Sequence, residues 1–444
     1  MTPVPEEQVR EEIDPPLDVT IAGAGLVGQV LALALSGASG VTLRQRLVDA
    51  APAGRAPADL RTYAIAAGTR RMLEELGIWR HIADKAERCS EMRISDSRLA
   101  EVVRPVFLTI AGDAHMDDAY LADLAYEAFD PDDIDGEMSG DWPEGEPFAH
   151  FVDGRDLQAA VAAACEDAGV RIEHGFSVRG VETDTYGVRI GAETFSSRLL
   201  VGADGAKSAV RKASGIRTIG WSYRQAAIIT IIRHEVPHEG AAIQHFLPGG
   251  PFAILPLPGN RSGIVWTEPE DRAQRFAALS PEAFAEELAQ RAGPEISDIE
   301  VIEAPRVYPL ELGLARAFVA PRIALVGDAA HRLHPLAGLG LNLGLRDVAA
   351  LTQVVVEAAR RGEDIGSLAV LERYQRWRRF DTVQVAAATE AINRLFSNDV
   401  GPLRMLRDIG LGLVDRMVPL KKMIVAEAAG TTGDAPRLLR GEPV

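Results

Sequence analysis

Residues 327–344 read GDAAHRLHPLAGLGLNLG, and the rest of the chain is organised around this stretch. The apolar run 322–326 before it predicts a buried parallel strand, and residues 345–351 after it predict a helix. A strand end, a Gly/Pro-rich loop and a helix N-terminus can bring a carboxylate, here Asp328, and several free backbone N–H groups to one ligand. An ordinary strand–loop–helix turn would give the same pattern. A ligand-binding loop is predicted only if other parts of the chain carry the remaining motifs of a nucleotide-binding site.

The N-terminal region of the chain carries a dinucleotide-binding fingerprint. A predicted strand over residues 18–22 leads directly into the glycines Gly23, Gly25 and Gly28, which open an apolar helix. A second predicted strand ends in Asp49, about 20 residues beyond the last glycine. Glycines let the backbone approach a pyrophosphate, and an acid at this distance takes ribose hydroxyl groups. The context favours this function over a tight turn followed by a solvated acid.

Two further positions are compatible with a cofactor. Residues 198–203 predict a hydrophobic strand that ends at Asp204-Gly205. An Asp-Gly pair is often only a turn, but the C-terminal end of a strand is where α/β sheets bind ligands. Arg61 has two interpretations that the sequence leaves open, a surface charge or a contact with the cofactor or its phosphates.

Composition excludes several classes of function. The chain has 444 residues, 47% of them hydrophobic, and a net charge of −17, which argues against nucleic acid as a partner. Its two cysteines, Cys89 and Cys165, form neither a disulfide framework nor a metal-type cluster, so we predict no metal site and a reducing, cytoplasmic compartment. We expect no signal peptide in the acidic residues 1–16, and no apolar run reaches the ~20 residues that span a bilayer.

The predicted fold class is α/β. We expect a discontinuous Rossmann-like cofactor domain, a mixed or antiparallel β-sheet substrate domain and C-terminal helices. After a flexible acidic tail (1–17), the cofactor domain is predicted to comprise three separate segments, residues 18–95, 151–219 and 306–360. Between them lie substrate-lobe strands with an acidic insertion (96–150) and the antiparallel substrate domain (220–305), and a helical region (361–444) follows.

The three motifs together resemble those of the flavoprotein aromatic hydroxylases of the para-hydroxybenzoate hydroxylase type. The run 327–347 is most similar to the ubiquinone-biosynthesis hydroxylases, and residues 221–226, 250–257 and 374–381 support it. The resemblance covers roughly residues 18–430. Leu339 stands where that family usually has glutamine, and Arg332 where a small hydroxyl residue is common.

The resemblance implies FAD as the cofactor and assigns positions to it. The first three glycines would hold the pyrophosphate, Asp49 the adenosine ribose and Asp328 the ribityl chain. Residues 338–342, at a helix start, would present N–H groups to the flavin ring, which is anionic when reduced. Arg155 would reach the flavin or its phosphates, and Asp204-Gly205 would lie near FAD and NAD(P)H. The predicted cofactor-binding residues are Gly23, Gly25, Gly28, Asp49, Arg61, Arg155, Asp204, Gly205, Gly327, Asp328, Pro335, Gly338, Gly340, Leu341 and Asn342.

The implied activity is hydroxylation of a lipophilic aromatic compound, a polyprenylated phenol or benzoquinol of ubiquinone biosynthesis. The resemblance implies O2 and a flavin hydroperoxide, with NAD(P)H or another reductant as electron donor. No second GxGxxG unit is present for a separate nicotinamide domain. His331 and His334 suggest acid–base catalysis or metal binding, but a third ligand is missing and a structural, flavin-lining loop is the alternative. We therefore predict no catalytic residue.

Other functions stay open at this point. The alternatives are hydroxylation of another aromatic compound, reduction of an isoprenoid chain, or halogenation, although the lysine and the Trp-x-Trp-x-Ile signature of halogenases are not evident. A non-catalytic FAD-binding subunit of a quinone-synthesis complex is an alternative of another class. The basic amphipathic residues 402–422 either pack against the main body or contact a membrane. The predicted location is therefore the cytoplasm, with peripheral contact to the inner face of the membrane as the alternative.

Overall fold

The computed structural model describes residues 17–54, 59–96, 106–111, 146–191, 195–293, 296–334, 338–396 and 434–444. Residues 1–16 of the predicted acidic tail, most of the acidic insertion, Pro335 and the basic amphipathic residues 402–422 lie outside the described residues, whereas Leu17 begins the first strand.

The described residues form eight α-helices and twenty β-strands. The helices are α1 Leu26–Ser36, α2 Ala67–Glu75, α3 Gly154–Asp167, α4 Ala209–Ala213, α5 Glu270–Ala277, α6 Pro281–Ala292, α7 Leu339–Arg360 and α8 Leu368–Phe396. The strands are β1 Leu17–Ala22, β2 Gln45–Asp49, β3 Thr62–Ala66, β4 Glu87–Arg88, β5 Glu91–Asp96, β6 Val106–Ala111, β7 Ala149–Asp153, β8 Ile172–His174, β9 Val181–Thr183, β10 Val188–Ile190, β11 Phe195–Gly202, β12 Thr218–Arg233, β13 Ala241–Leu247, β14 Gly250–Leu257, β15 Arg261–Pro269, β16 Glu300–Val301, β17 Arg306–Ala315, β18 Val319–Ala320, β19 Ile323–Leu325 and β20 His331–Arg332.

A mostly parallel sheet carries the nucleotide-type motifs. Strands β8, β2, β1, β11 and β19 run parallel in that order, and β18 pairs antiparallel with β19. Its central strands are apolar, as expected for a sheet covered by helices on its faces; Val19, Ile21 and Leu325 have no exposed surface. The parallel strand predicted before residue 327 and the Rossmann-like architecture are confirmed.

The second sheet is antiparallel over most of its width, in the order β20–β17–β12–β15–β14–β13–β5–β6. Its pairings differ from the predicted segment boundaries in two places. Strand β5 belongs to this sheet, although residues 91–95 were predicted to belong to the cofactor domain. Strand β17 pairs with β12 along most of its length, so the chain returns to the parallel sheet at β18 and not at residue 306. Both segments alternate apolar and polar residues, which is the pattern of a half-buried strand and fits the antiparallel sheet better than the buried parallel one.

A small third sheet, β3–β7–β4, lies in contact with both the helical layer and the antiparallel sheet. Strand β3 follows Arg61 directly, and all five of its residues are buried. No helix among the described residues has the length and the apolar character that crossing a membrane requires.

A buried carboxylate fixes the loop that decides the fold. Asp347, in the third turn of α7, has no exposed side-chain surface. Its Oδ2 accepts hydrogen bonds from the Gly327 N–H (3.0 Å) and from His331 Nε2 (2.6 Å), and its Oδ1 accepts one from Arg378 Nε (2.9 Å). Burial raises the pKa of Asp347, but the charges and hydrogen bonds of His331 and Arg378 outweigh it, and the pKa lies below its usual value. The ionised carboxylate therefore joins the loop, α7 and α8.

Removal of this carboxylate should destabilise the fold strongly. We expect Asp347→Ala to lower the free energy of unfolding by about 3–5 kcal/mol, because it removes the fully buried carboxylate that pairs with both Arg378 and His331 and leaves the arginine only the partly exposed Asp381. Urea unfolding of the purified protein measures the effect.

Asp381→Ala is the matched control, since Asp381 is a second carboxylate partner of Arg378 and is 25% exposed. We expect it to cost less than about 1 kcal/mol, as a partly solvated ion pair does. Equal losses in the two variants would contradict the central role of Asp347.

Candidate active site

Two adjoining cavities lie between the layers. The main cavity has a volume of about 580 Å³ and runs between the loops of the parallel sheet and one face of the antiparallel sheet. The side cavity, about 410 Å³, lies over the ends of β1 and β2. Gly25, Ala203 and Gly205 line both, so the two spaces form one elongated site.

The first glycine motif shapes the side cavity. Gly23 has a φ of +105°, and a Cβ there would overlap the Ala203 carbonyl. A Cβ at Gly28 would overlap the Gly23 carbonyl, so α1 can approach the strand end only because this position is glycine. The motif therefore serves close packing at two of its positions.

Three glycines instead face open space. A Cβ at Gly25, Gly205 or Gly340 would meet no heavy atom within 4 Å, and all three line the main cavity. Backbone groups at these positions are accessible to a ligand at close range. The three motifs, distant in sequence, thus line one site.

Asp49 lies where the fingerprint predicts, at the end of β2 and in the wall of the side cavity. Its Oδ2 accepts a hydrogen bond from the Ala24 N–H (2.6 Å), and its Oδ1 accepts one from the Ala51 N–H (2.7 Å). These bonds hold the carboxylate against the glycine loop. A carboxylate offers about four acceptor positions, so it keeps capacity for ribose hydroxyl groups.

The Asp204-Gly205 motif also lies at the site. Asp204 Oδ2 accepts hydrogen bonds from the first N–H groups of α4, Ala209 (2.6 Å) and Val210 (3.1 Å). Its Oδ1 is buried and has no hydrogen-bond partner among the described residues, although it borders the side cavity. The motif is therefore more than a turn: Asp204 binds the first N–H groups of a helix, and it lines the side cavity.

Arg211 connects this motif to the loop at 327–331. Its guanidinium is buried and donates to the carbonyl oxygens of Ala206 and Ala329, both at 2.7 Å. No sequence pattern indicates this contact, because the acceptors are backbone atoms far apart in the chain.

The loop at residue 327 and the start of α7 line the main cavity. Asp328 is exposed to the cavity, and Gly340 and Leu341 follow along its wall. Gly338 is the N-cap of α7, with a left-handed φ of +65°. The first-turn N–H groups of a 22-residue helix therefore begin at the cavity.

Asn342, whose backbone N–H was predicted to face the flavin, uses its side chain within the protein. Its Oδ1 accepts from the Ala66 N–H (3.0 Å), and its Nδ2 donates to the Ala64 carbonyl (2.7 Å). The side chain thereby pairs with β3 like an additional strand residue and fixes the N-terminus of α7. The side-chain amide is therefore occupied within the protein, while Leu341, the residue before it, lines the main cavity.

Arg61 belongs to a cluster at the cavity wall. It forms an ion pair with Asp59 (2.7 Å), and its guanidinium lies 5.1 Å from the centre of the Tyr63 ring. The Tyr63 hydroxyl donates to the same carboxylate at 2.7 Å. Burial would raise the pKa of Asp59, but Arg61 and Tyr63 hold it below its usual value. Asp59 and Tyr63 were missed from the sequence, which marked only the arginine.

The structure does not bring Arg155 to either cavity. Its guanidinium pairs with Asp153 (2.7 Å) and with Glu303 (2.5 Å). Gln158, one turn further along α3, lines the main cavity instead, and its Oε1 is buried without a hydrogen-bond partner among the described residues. The signal that could have found it is its i+3 spacing from Arg155 on one helix.

The antiparallel sheet gives the main cavity an apolar wall. Along β14, Pro251, Ala253 and Leu255 face the cavity, while Phe252 and Ile254 pack in the core on the other side of the sheet. This follows from the period-2 alternation of a strand. The other wall residues from this sheet include Ala227, Ile229, Val265, Thr267, Tyr308 and Leu310.

The two histidines of the loop have different environments. His331 is buried against Asp347, whereas His334 lines the main cavity with 1% of its surface exposed. Neither ring nitrogen of His334 has a hydrogen-bond partner among the described residues. Burial lowers its pKa to about 4, so the ring is neutral at pH 7. Beside it, Arg332 pairs with Glu311 (2.6 Å).

Comparison with known proteins identifies the family. The family model described as an FAD binding domain matches residues 16–389. The ubiquinone hydroxylase UbiL of Rhodospirillum rubrum is 38% identical over 98% of this chain and 95% of its own length. The 3-demethoxyubiquinol 3-hydroxylase of Escherichia coli is 30% identical over 94% of this chain and 99% of its own.

A solved structure shows the same fold. The p-nitrophenol 4-monooxygenase PnpA of Pseudomonas putida has a TM-score of 0.71 at 18% identity, over 94% of this chain and 99% of its own. The predictions of family, fold class, FAD and enzyme class are thereby confirmed. The chain belongs to the FAD-dependent aromatic monooxygenases of the para-hydroxybenzoate hydroxylase type, and it is related to the hydroxylases of ubiquinone biosynthesis.

Proposed function

We propose that this protein hydroxylates the aromatic ring of a polyprenylated phenol or benzoquinol in ubiquinone biosynthesis, with NAD(P)H as the reductant. The observation that carries the proposal is the main cavity, in which the three glycine-rich motifs face the apolar side of the antiparallel sheet. The names of the relatives in Rhodospirillum rubrum and Escherichia coli support the substrate class.

The residues present fit FAD. Gly25, Gly205 and Gly340 leave a cradle open along the main cavity. Two acceptors are buried without partners in the described chain, Gln158 Oε1 at the main cavity and Asp204 Oδ1 at the side cavity. Asp49 would hold the ribose and Asp328 the ribityl chain. FAD, when bound, supplies the oxygen chemistry that no amino-acid side chain provides.

The helix start at Gly338 supplies the electrostatic component of the site. The first N–H groups of α7 have no intrahelical acceptors, and the positive end of the helix dipole favours negative charge at the cavity. Because Asn342 and Asp347 fix this helix in place, the groups are preorganised and need no rearrangement during the reaction.

The sheet side of the cavity suits a ring with a hydrocarbon substituent. Ala227 and Ala253 leave room between the larger side chains Ile229, Leu255 and Val265. Such a surface gains free energy when it covers apolar groups and excludes water from the site. The volume of about 580 Å³ lies in the usual range for small-molecule sites.

Product formation tests the proposal directly. We expect the FAD-loaded protein to convert a short-chain 2-prenylphenol, in the presence of NAD(P)H and O2, into a product with one additional oxygen atom. Mass spectrometry after a reaction under ¹⁸O2 measures the incorporation. Reductant consumption without oxygenated product, with every prenylated phenol and quinol offered, would contradict the proposal and favour an accessory FAD-binding role.

Substitutions of two arginines test which of them contacts the cofactor. We expect Arg61→Leu to weaken FAD binding about tenfold, since it removes a charged donor at the cavity wall. Arg155→Leu, the matched control, should change the Kd less than about twofold because Arg155 lies outside both cavities. Titration of the apoprotein with FAD, followed by flavin fluorescence, gives both values. A larger effect of Arg155→Leu would restore the assignment suggested by the sequence.

A cavity-filling substitution tests the sheet wall. We expect Ala253→Phe to raise KM for the prenylated phenol more than tenfold with little effect on FAD affinity, because the new ring occupies space on the substrate side. Ala289→Phe, at an exposed position of α6, is the matched control and should leave KM unchanged. Steady-state kinetics decide; equal KM values for the two variants would place the substrate elsewhere.

A further inference from the structure

His334 is a buried polar group with no hydrogen-bond partner within the described residues of the chain. Both Nδ1 and Nε2 lack a partner, although the side chain is 1% exposed and lines the main cavity. Buried polar groups in proteins are nearly always paired, because an unpaired one destabilises the folded state. An unpaired histidine in a cavity wall therefore points to a ligand that completes its hydrogen bonding.

The position of His334 favours the substrate over the cofactor. Its ring lies edge-on to Tyr223 of β12, with centroids 5.1 Å apart. Tyr223 packs against the cluster of Ala227, Ile229 and Leu310, which forms the apolar wall of the main cavity. The Tyr223 hydroxyl donates to Glu390 of α8 (2.6 Å), so it is not directed at the histidine. His334 thus lies on the sheet side of the cavity.

We propose that His334 accepts a hydrogen bond from the hydroxyl group of the phenolic substrate and so orients the ring in the main cavity. This inference rests on the proposed function, and it assigns a residue to the substrate class named there. A neutral imidazole offers one acceptor and one donor nitrogen. The acceptor takes the phenol O–H, and no proton needs to leave the substrate for the ring to be held.

The hydrogen bond has two chemical consequences. It fixes the orientation of the ring within its plane, and this orientation determines which carbon atom is presented for oxygenation. It also draws the O–H proton away from the oxygen, which increases the electron density of the ring at the carbons ortho and para to it. The low pKa of His334 agrees with this assignment, since a protonated imidazole could only donate.

A pair of ligands tests the proposal independently of turnover. The probes are a short-chain 2-prenylphenol and its methyl ether, which lacks only the donor hydrogen. Binding to the FAD-loaded protein is followed by the change in flavin absorbance. We expect the protein without substitutions to prefer the phenol at least about fivefold, as the loss of a hydrogen bond at a buried acceptor predicts.

Variants at His334 test whether this residue causes the preference for the phenol over its methyl ether. His334→Leu should reduce the ratio of the two affinities to about one, and His334→Gln, whose amide still accepts, should keep some of it. His234→Leu is the matched control: His234 is also buried, but its ring nitrogens are paired with the Val236 carbonyl (2.7 Å) and Ser262 (3.0 Å). A merely structural role would weaken both ligands alike and would not distinguish leucine from glutamine.

The outcomes separate the two proposals. If the starting protein binds neither probe, or both equally, or if His334→Leu keeps the preference, the assignment of His334 is overturned. A loss of FAD affinity in His334→Leu with the preference intact would make it a cofactor contact, which also overturns it. A preference that depends on His334 without oxygenated product supports this inference while the proposed function fails. Oxygenated product with no such preference means the reverse.

Discussion

The carboxylate of Asp347 is the constraint on which the site depends. Three elements meet at it: the loop that begins at Gly327, the helix α7 that carries it and the arginine of α8. The same loop is tight on its other side, where a Cβ at Gly344 would lie 3.2 Å from the Gly327 Cα and from Val27 of α1. A single buried ionic group in a close-packed environment therefore sets where the exposed Asp328 and the start of α7 lie.

The main cavity exists because two kinds of secondary structure meet there with different surfaces. The parallel sheet contributes loops and helix starts, which present backbone N–H groups and carboxylates. The antiparallel sheet contributes one face of alternating strands, whose other face is buried in its own core with Trp266 and Phe284. A polar, anion-tolerant side and an apolar side thus face each other. This is the environment that a charged cofactor and a hydrophobic aromatic substrate require together.

The sequence predicted those elements of the site whose conformation depends on residues next to each other in the chain. Glycine positions, strand ends and helix starts at 23–28, 204–205 and 327–344 depend on backbone conformation, which neighbouring residues dictate. It could not predict side-chain contacts between residues that are far apart in the sequence. Arg211 bonds to carbonyl groups, Asn342 pairs with β3, and Arg155 turns to Glu303, none of which leaves a pattern in the residues nearby. Strand β17 lies in the antiparallel sheet, which its alternation of apolar and polar residues favours, so the boundary predicted at residue 306 is too early.

His331 and His334 show how the fold gives two residues of the same type different environments. Both lie in one short loop, and sequence reasoning could give them only a common alternative, structural or catalytic. The ionised Asp347 occupies His331 and makes it a member of the scaffold. Three residues later the chain has passed from the buried network to the sheet wall, where Tyr223 covers the edge of His334 without bonding to it. The buried carboxylate thus fixes one histidine within the protein, and the cavity wall leaves the other with hydrogen-bonding capacity that a ligand can satisfy.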